Sequence, residues 1–247
     1  MLHFTVEGEG KTLVFLHGFL ESNSMWSFLD LKDLKTQNIF IDLPGHGNSV
    51  ITDNSESPSI EFMAHEVLKV FNFLGIKSYS IIGHSMGGYI GLLLKEIDSR
   101  CEKVVLLNSN FWGDSEQKKK DRVRVAEIAF KAKKLFIQEA IPNLFGKPEN
   151  HQAEIDALVD EALKMPPESI AYSALAMRER TDFTSEVHKN PTEYFIIHGK
   201  LDKLVDTDFI KSQLKSSKNL FVLEKAGHMA HVEQSEEVMA ILKAIFS

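Results

Sequence analysis

The chain reads as an α/β protein: a mostly parallel central sheet of about seven strands, helices on both faces, and an all-helical cap inserted behind one strand. Three observations predict this class. Short, continuous apolar runs alternate with helix-spaced amphipathic segments, the rhythm of a parallel sheet covered on both faces. Gly83-His84-Ser85-Met86-Gly87 stands between such a run and such a helix, the context in which Gly-x-Ser-x-Gly becomes informative. The rhythm then stops over residues 110–189, which hold no strand-like run, and resumes afterwards.

Taken in order, Leu2–Val6 alternates apolar and polar residues and predicts an edge strand closed by a Gly8-Glu9-Gly10 turn. Thr12–Leu16 and Asn38–Leu43 are buried strands, each running into a turn-dense loop: His17-Gly18-Phe19-Leu20 after the first, Pro44–Ser49 after the second. Ser24–Leu34 between them predicts a helix. A polar bridge over Thr52–Ser59 leads to Ile60–Leu74, where Met63, Val67, Val70, Phe71 and Leu74 recur at helical spacing and Gly75 supplies the stop. The strand from Ser78 ends at the Gly-x-Ser-x-Gly turn, and a helix follows from about Met86 to Asp98. Lys103–Leu107 is the next strand.

Residues 110–189 predict helices over Ser115–Phe136, Ile137–Phe145, His151–Met165 and Glu168–Arg180, punctuated by Pro142, Gly146, Pro148, Pro166 and Pro167. Glu193–Ile197 and Leu220–Leu223 then read as strands, with Asp206–Lys215 and Glu233–Phe246 as helices. The organisation expected is a core of residues 1–109 and 190–247 and a helical cap of residues 110–189 over the strand ends, where loops of such sheets carry function.

Composition narrows the function. The 247 residues are 43% apolar and 26% charged, which suits one globular α/β domain with an insertion. A net charge of −7 gives no electrostatic basis for nucleic acid or an anionic membrane as partner. The one basic cluster, Lys118-Lys119-Lys120 with Arg122 and Arg124, reads as a solvated helix face. Cys101 is the single cysteine, which rules out an internal disulfide and points to a reducing compartment. Met1–Gly8 has neither the basic start nor the apolar run of a signal peptide, and no stretch reaches the ~18 apolar residues of a membrane span, so a cytoplasmic protein is expected.

Ser85 is the residue around which chemistry can be built. A serine at so tight a strand-to-helix turn adopts strained backbone angles, and side chains two places away would collide, which is what Gly83 and Gly87 avoid. Its hydroxyl then sits at a helix N-terminus, where orphan N–H groups favour negative charge. A serine hydroxyl needs a base, itself oriented by an acid. Of the ten histidines, His228 follows the last strand on a loop that can lean over the turn; His231, the runner-up, begins the closing helix. Asp202, four residues past a strand, is the acid, while Asp206 and Asp208 read as helix caps. The strand after the turn ends in Asn108, which removes the other common location for an acid. The Met86 N–H and one from the His17-Gly18-Phe19 loop, that of Phe19, are the candidate oxyanion donors. Phe19, Trp26, Met86, Tyr89, Phe111, Trp112 and Met177 are candidate pocket walls.

Over nearly its whole length the chain resembles the α/β-hydrolase family. The resemblance rests on His17-Gly18-Phe19, Asp42-Leu43-Pro44-Gly45-His46-Gly47-Asn48-Ser49, Gly83-His84-Ser85-Met86-Gly87-Gly88, His198-Gly199-Lys200-Leu201-Asp202, and Gly227-His228 with Glu233. It implies Ser85 as nucleophile, His228 as base, Asp202 as its partner, and Phe19 and Met86 N–H groups at the oxyanion. It also implies one more strand ahead of Leu2–Val6 than this sequence carries. Epoxide hydrolases and haloalkane dehalogenases place an aspartate where Ser85 stands, so those branches do not fit. The expected function is cleavage of a small ester or related acyl substrate, as in carboxylesterases, with no cofactor and no metal. Two alternatives stay open: a lyase like the one that makes succinyl-hydroxycyclohexadiene carboxylate for menaquinone, and a hydrolase-shaped ligand receptor with little turnover. Tyr89 stands where that lyase usually carries an arginine, although Arg122, Arg124, Arg178 and Arg180 supply cations in the cap.

Overall fold

A computed structural model describes residues 1–51, 57–214, 216 and 218–246. Seven strands form one sheet in the order β1-β3-β2-β4-β5-β6-β7. The strands are β1 (Phe4–Glu7), β2 (Lys11–Leu16), β3 (Thr36–Ile41), β4 (Tyr79–His84), β5 (Cys101–Leu107), β6 (Tyr194–Gly199) and β7 (Leu220–Leu223). Only β1 runs antiparallel, pairing Phe4 with Ile41 and Glu7 with Asn38; every other pair is parallel. The class expected from the sequence is the one observed.

Period-2 alternation along the central strands builds two cores. Val14, Leu16, Ile81, Val104, Leu106 and Ile196 pack with α1 (Ile60–Leu74) and α2 (Met86–Ile97) on one face. Leu13, Phe15, Ile82, Val105, Leu107 and Ile197 pack with α9 (Ser235–Phe246) on the other. α1 begins at Ser59, whose side chain accepts from the Phe62 N–H, and ends at Gly75 with φ +67.

Ser24–Leu34 departs from the helix its spacing predicts. It forms two 3-10 turns, Asn23–Phe28 and Leu31–Leu34, separated by extended Leu29 and Asp30. The Asp30 carboxylate accepts from the Lys32 N–H, and a segment this short has little intrinsic helicity to resist that local capping. The expected bridge over 52–59 lies outside the described residues at 52–56, as does the Lys215 end of the next-to-last expected helix, whose described part is α7 (Thr207–Gln213).

Between β5 and β6 the chain is helical: α3 (Glu116–Ala140), α4 (Gln152–Lys164), α5 (Pro167–Arg178) and α6 (Thr184–Lys189), with 3-10 turns at Pro142–Leu144 and Pro148–Asn150. α3 absorbs the first four residues of the separate helix expected over Ile137–Phe145, the rest forming the turn at Pro142–Leu144, and it breaks at Ala132, where φ is −152 and ψ 41. α6 went unnoticed in the sequence because six residues carry too little periodicity to register. These helices share a third core with the loops after β2 and β7: Ile137, Phe145, Ile155, Leu158 and Ile170 meet Leu20 and Met229. A short α8 (Ala230–Glu233) precedes α9.

Candidate active site

The turn at Ser85 is as tight as the sequence demands. Ser85 has φ +48 and ψ −112, a conformation that side chains rarely tolerate, and its hydroxyl does not cap the helix it precedes. A Cβ on Gly83 would stand 2.5 Å from the Gly87 carbonyl oxygen, and one on Gly87 only 2.2 Å from that of Leu16. Backbone bonds clamp the serine from three sides: its N–H donates to Leu107 O, and its carbonyl accepts from the Ser109 hydroxyl and the Gly88 N–H.

His228 lies on the loop between β7 and α8, and its Nδ1–H donates to Asp202 Oδ2 at 2.7 Å. The Asp202 carboxylate is fully satisfied: the same oxygen accepts from Asn108 Nδ2 at 3.0 Å, and Oδ1 accepts the N–H groups of Leu204 and Val205. Burial alone would push its pKa up, but the His228 charge and hydrogen bond prevail and hold it well below the usual carboxylate range. Asn108 also donates to Gly227 O, so one amide ties the acid to the histidine loop. Sequence reasoning passed over Asn108 except as the absence of an acid; its residue type, suited to the φ of +46 it adopts, is the one local mark it carries.

His84, which precedes Ser85 in the chain, ties the turn to the histidine loop. His84 Nε2 donates to the His228 carbonyl at 2.9 Å, and the two rings stand 5.1 Å apart. Among the described residues no hydrogen bond joins Ser85 Oγ to His228 Nε2, a link that in unliganded sites is often long and tightens with substrate. The runner-up His231 is buried on α8 with neither ring nitrogen bonded, and burial takes its pKa down to about 3. Asp206 caps α7 by accepting the Phe209 N–H, and Asp208 pairs with Lys211.

The loop after β2 is held at both ends of one residue. Gly18 N–H donates to Glu21 Oε2 at 2.5 Å, and Gly18 O accepts from His17 Nδ1 at 2.8 Å. His17 Nε2 in turn accepts the Leu43 N–H, which fixes a neutral tautomer, and burial keeps its pKa low. In a trans peptide C=O and N–H point opposite ways, so the hold on Gly18 O aims the Phe19 N–H away from His17. Among the described residues neither the Phe19 nor the Met86 N–H donates to a protein acceptor.

The proposed walls separate into two groups. Tyr89, Phe111 and Trp112 line one small cavity with Asn110, Arg180 and Phe183; it encloses about 10 Å³, room for a water. Met177 and Met86 are buried in the same core, and half-buried Phe19 packs against it. Trp26 stands apart: it packs on Phe15 beneath the opposite sheet face and lines a wide groove with Asn23, Asp30 and Asn38. The Arg180 guanidinium lies 4.0 Å from the Tyr89 ring centre and pairs with Asp114, while its nitrogens also reach the carbonyls of Trp112 and Met177 and the Asn110 side chain. Arg122 shares Asp114, whereas Arg124 and Arg178 pair with Asp121 and Glu179 at the surface. Cys101 is buried in the sheet with its thiol pushed up to about 12, the opposite of a nucleophile.

A model of the alpha/beta hydrolase family matches residues 13–241. The chain belongs to the α/β-hydrolase family. Among solved structures it is similar to a thermophilic esterase from Thermogutta terrifontis, in its malate-bound form, at 26% identity and a TM-score of 0.87 over 100% of this chain and 94% of that one. Among curated proteins it is 25% identical to a putative 2-succinyl-6-hydroxy-2,4-cyclohexadiene-1-carboxylate synthase of Bacillus subtilis, covering 94% of this chain and 90% of the relative. It is 27% identical to the dihydrolipoyllysine-residue acetyltransferase component of an acetoin cleaving system from Pseudomonas putida, over 95% of this chain. The chain spans 63% of that protein's length. Among the described residues no helix is long and apolar enough to cross a membrane, and no cluster of three or more His, Cys, Asp or Glu residues is placed to hold a metal ion.

Proposed function

We propose that this α/β-hydrolase cleaves a small carboxylic ester through an acyl-enzyme on Ser85, with His228 as general base and Asp202 as the acid that orients it. The observation that carries the reading is the saturated Asp202 carboxylate gripping His228 Nδ1 beside a strained serine whose hydroxyl caps nothing. With Nδ1 holding its proton toward Asp202, Nε2 is the ring's basic atom. It takes the Ser85 proton as Oγ attacks the ester carbonyl, and the Phe19 and Met86 N–H groups receive the developing oxyanion. Collapse expels the alcohol with the proton from Nε2. Water, deprotonated by the same nitrogen, then releases the acid. The helices of residues 110–189 act as a cap whose apolar side chains close over the acyl group. No other group is required by these steps, and the esterase likeness supports them.

Ser85→Ala is expected to abolish turnover of a short p-nitrophenyl ester while circular dichroism and Tm stay unchanged. Full turnover in that variant would remove Ser85 from the chemistry. The likeness to the synthase of Bacillus subtilis favours a second reading, lyase chemistry on a substrate carrying carboxylates. Against it, Arg180, the buried cation of the insertion, is already bound to Asp114, two carbonyls and Asn110. Formation of 2-succinyl-6-hydroxy-2,4-cyclohexadiene-1-carboxylate, set beside steady-state rates on esters of increasing acyl length, separates the two. Absence of turnover in both assays would leave the receptor reading.

A further inference from the structure

Beneath the site lies a second polar assembly that the acyl-transfer steps do not use. His84 and Glu21 side chains are 1% and 4% exposed, and His84 Nδ1 stands 2.9 Å from Glu21 Oε2. The other ring nitrogen, Nε2, is 2.9 Å from the His228 carbonyl oxygen. A carbonyl can only accept, so Nε2 carries a hydrogen. Nδ1 faces a carboxylate, so one further proton lies between ring and acid. The Gly18 N–H settles on which side it rests. It donates into the same Glu21 Oε2 that faces His84 Nδ1, and an oxygen bearing its own hydrogen toward Nδ1 would be a poor acceptor, whereas a carboxylate oxygen accepts from both. The proton therefore belongs to the ring.

We propose that Glu21 and His84 form a permanently ionised, buried carboxylate–imidazolium pair that positions the oxyanion loop and the His228 loop on the two sides of Ser85. The pair joins three segments far apart in sequence: Gly18 through its N–H, the end of β4 through His84 itself, and residue 228 through its carbonyl. Its members are positioning residues and touch no reacting atom. Burial alone would drive both groups to neutrality; their mutual charge and hydrogen bond outweigh it, raising the His84 pKa and lowering that of Glu21 to about 2. The groups facing the pair agree. His17 is locked neutral by its two bonds, and His231, its ring 5.0 Å from that of His84, stays uncharged beside a fixed cation. The His228 ring and, behind it, the Asp202 carboxylate complete the surroundings.

The kinetic part of the test rests on the esterase reading; the spectroscopic part does not. In the intact protein labelled with ¹⁵N-histidine, His84 is expected to show both ring nitrogens protonated at pH 8. Glu21→Gln is expected to leave a single N–H, on Nε2. The same substitution should lower kcat on p-nitrophenyl acetate by roughly 10²-fold, as expected for misplaced catalytic groups, with KM nearly constant. Glu21→Asp, which keeps the charge, should recover part of the loss. Backbone amide exchange at residues 18–21 and 227–229 should quicken in Glu21→Gln and stay near the original in Glu21→Asp. A singly protonated His84 in the unmodified protein overturns the proposal, and so does unchanged kcat in a Glu21→Gln variant whose ring has lost its proton. Should Glu21→Gln fail to fold, the ring spectrum of the unmodified protein decides. An unmodified protein inert toward every ester would defeat the esterase reading, and the ring spectrum and amide exchange would still judge the pair.

Discussion

Asn108 shows how much of the site is set by one amide. Its Nδ2 donates to Asp202 and to Gly227 O, so Asn108→Ala strips a donor from a buried carboxylate and orphans a carbonyl on the histidine loop. A hydrogen bond to a charged acceptor contributes about 1.5–3 kcal/mol. We expect kcat on a p-nitrophenyl ester to fall about tenfold or more on that account, with Ser85 still present for fluorophosphonate labelling. His231 makes the opposite contribution. Its folded pKa of about 3 lies below the ordinary 6.5, so between those values the unfolded chain holds a proton that the folded chain lacks. Stability therefore drains away as pH falls through that window, by up to about 1.4 kcal/mol per pH unit for such a group. Urea unfolding of His231→Leu between pH 6.5 and 4 should show a shallower slope than the parent; an identical slope would mean that the ring is solvated. At this scale Ser85, Asp202 and His228 were legible as candidates because residue type, strand end and chain order coincide, and the structure pairs the last two directly. Glu21, His84 and Asn108 were not, since their partners lie 63 to 144 positions away and nothing local in the sequence marks a contact of that range.

Elements were legible where a single period ran long enough. α1 begins and ends at the residues its spacing and Gly75 indicate, and the central strands fall within two or three residues of their apolar runs. Ser24–Leu34 misled because its apolar positions, Trp26 and Phe28 among them, suit a helix as well as two 3-10 turns, while Asp30 caps a new turn midway. In α3 the break at Ala132 separates halves with different attachments. The leading half is tied to α5 through Lys119 and Glu179, whereas Lys133, just past the break, donates to the carbonyls of Leu163 and Met165 at the end of α4. The histidine loop has its own link to the insertion. Glu233 accepts the Gly146 N–H on one oxygen and the Gly227 N–H on the other. Glu233→Gln keeps the shape but only one acceptor, and should cost about 1–3 kcal/mol in chemical denaturation. An unchanged midpoint would show that solvent already screens both bonds.

For the whole molecule, the sheet explains why so many separated residues converge. Parallel strands deliver the ends of β2, β4, β5, β6 and β7 to one edge, and the catalytic candidates all follow those ends within four residues or lie on the next loop. Both faces are filled, so β2, β4 and β5 should exchange their amides last, and the antiparallel edge β1 and the short β7 first. Hydrogen exchange by mass spectrometry checks this order; early exchange of β4 would contradict a core centred there. The fold class could be read because alternation and the turn at Ser85 are global signals. The way the inserted helices sit could not, because their docking depends on contacts such as Leu20 and Met229 with Phe145 that no period encodes.

Two of the attachments between that insertion and the histidine loop engage its backbone rather than its side chains: the Leu144 carbonyl receives the His228 N–H, and the Gly146 N–H reaches Glu233. Main-chain atoms are indifferent to which amino acid bears them. Residues elsewhere in the inserted helices can therefore be exchanged, lengthened or recoloured in polarity while these two grips stay in place, so the insertion can vary without loosening its hold on the loop that carries residue 228.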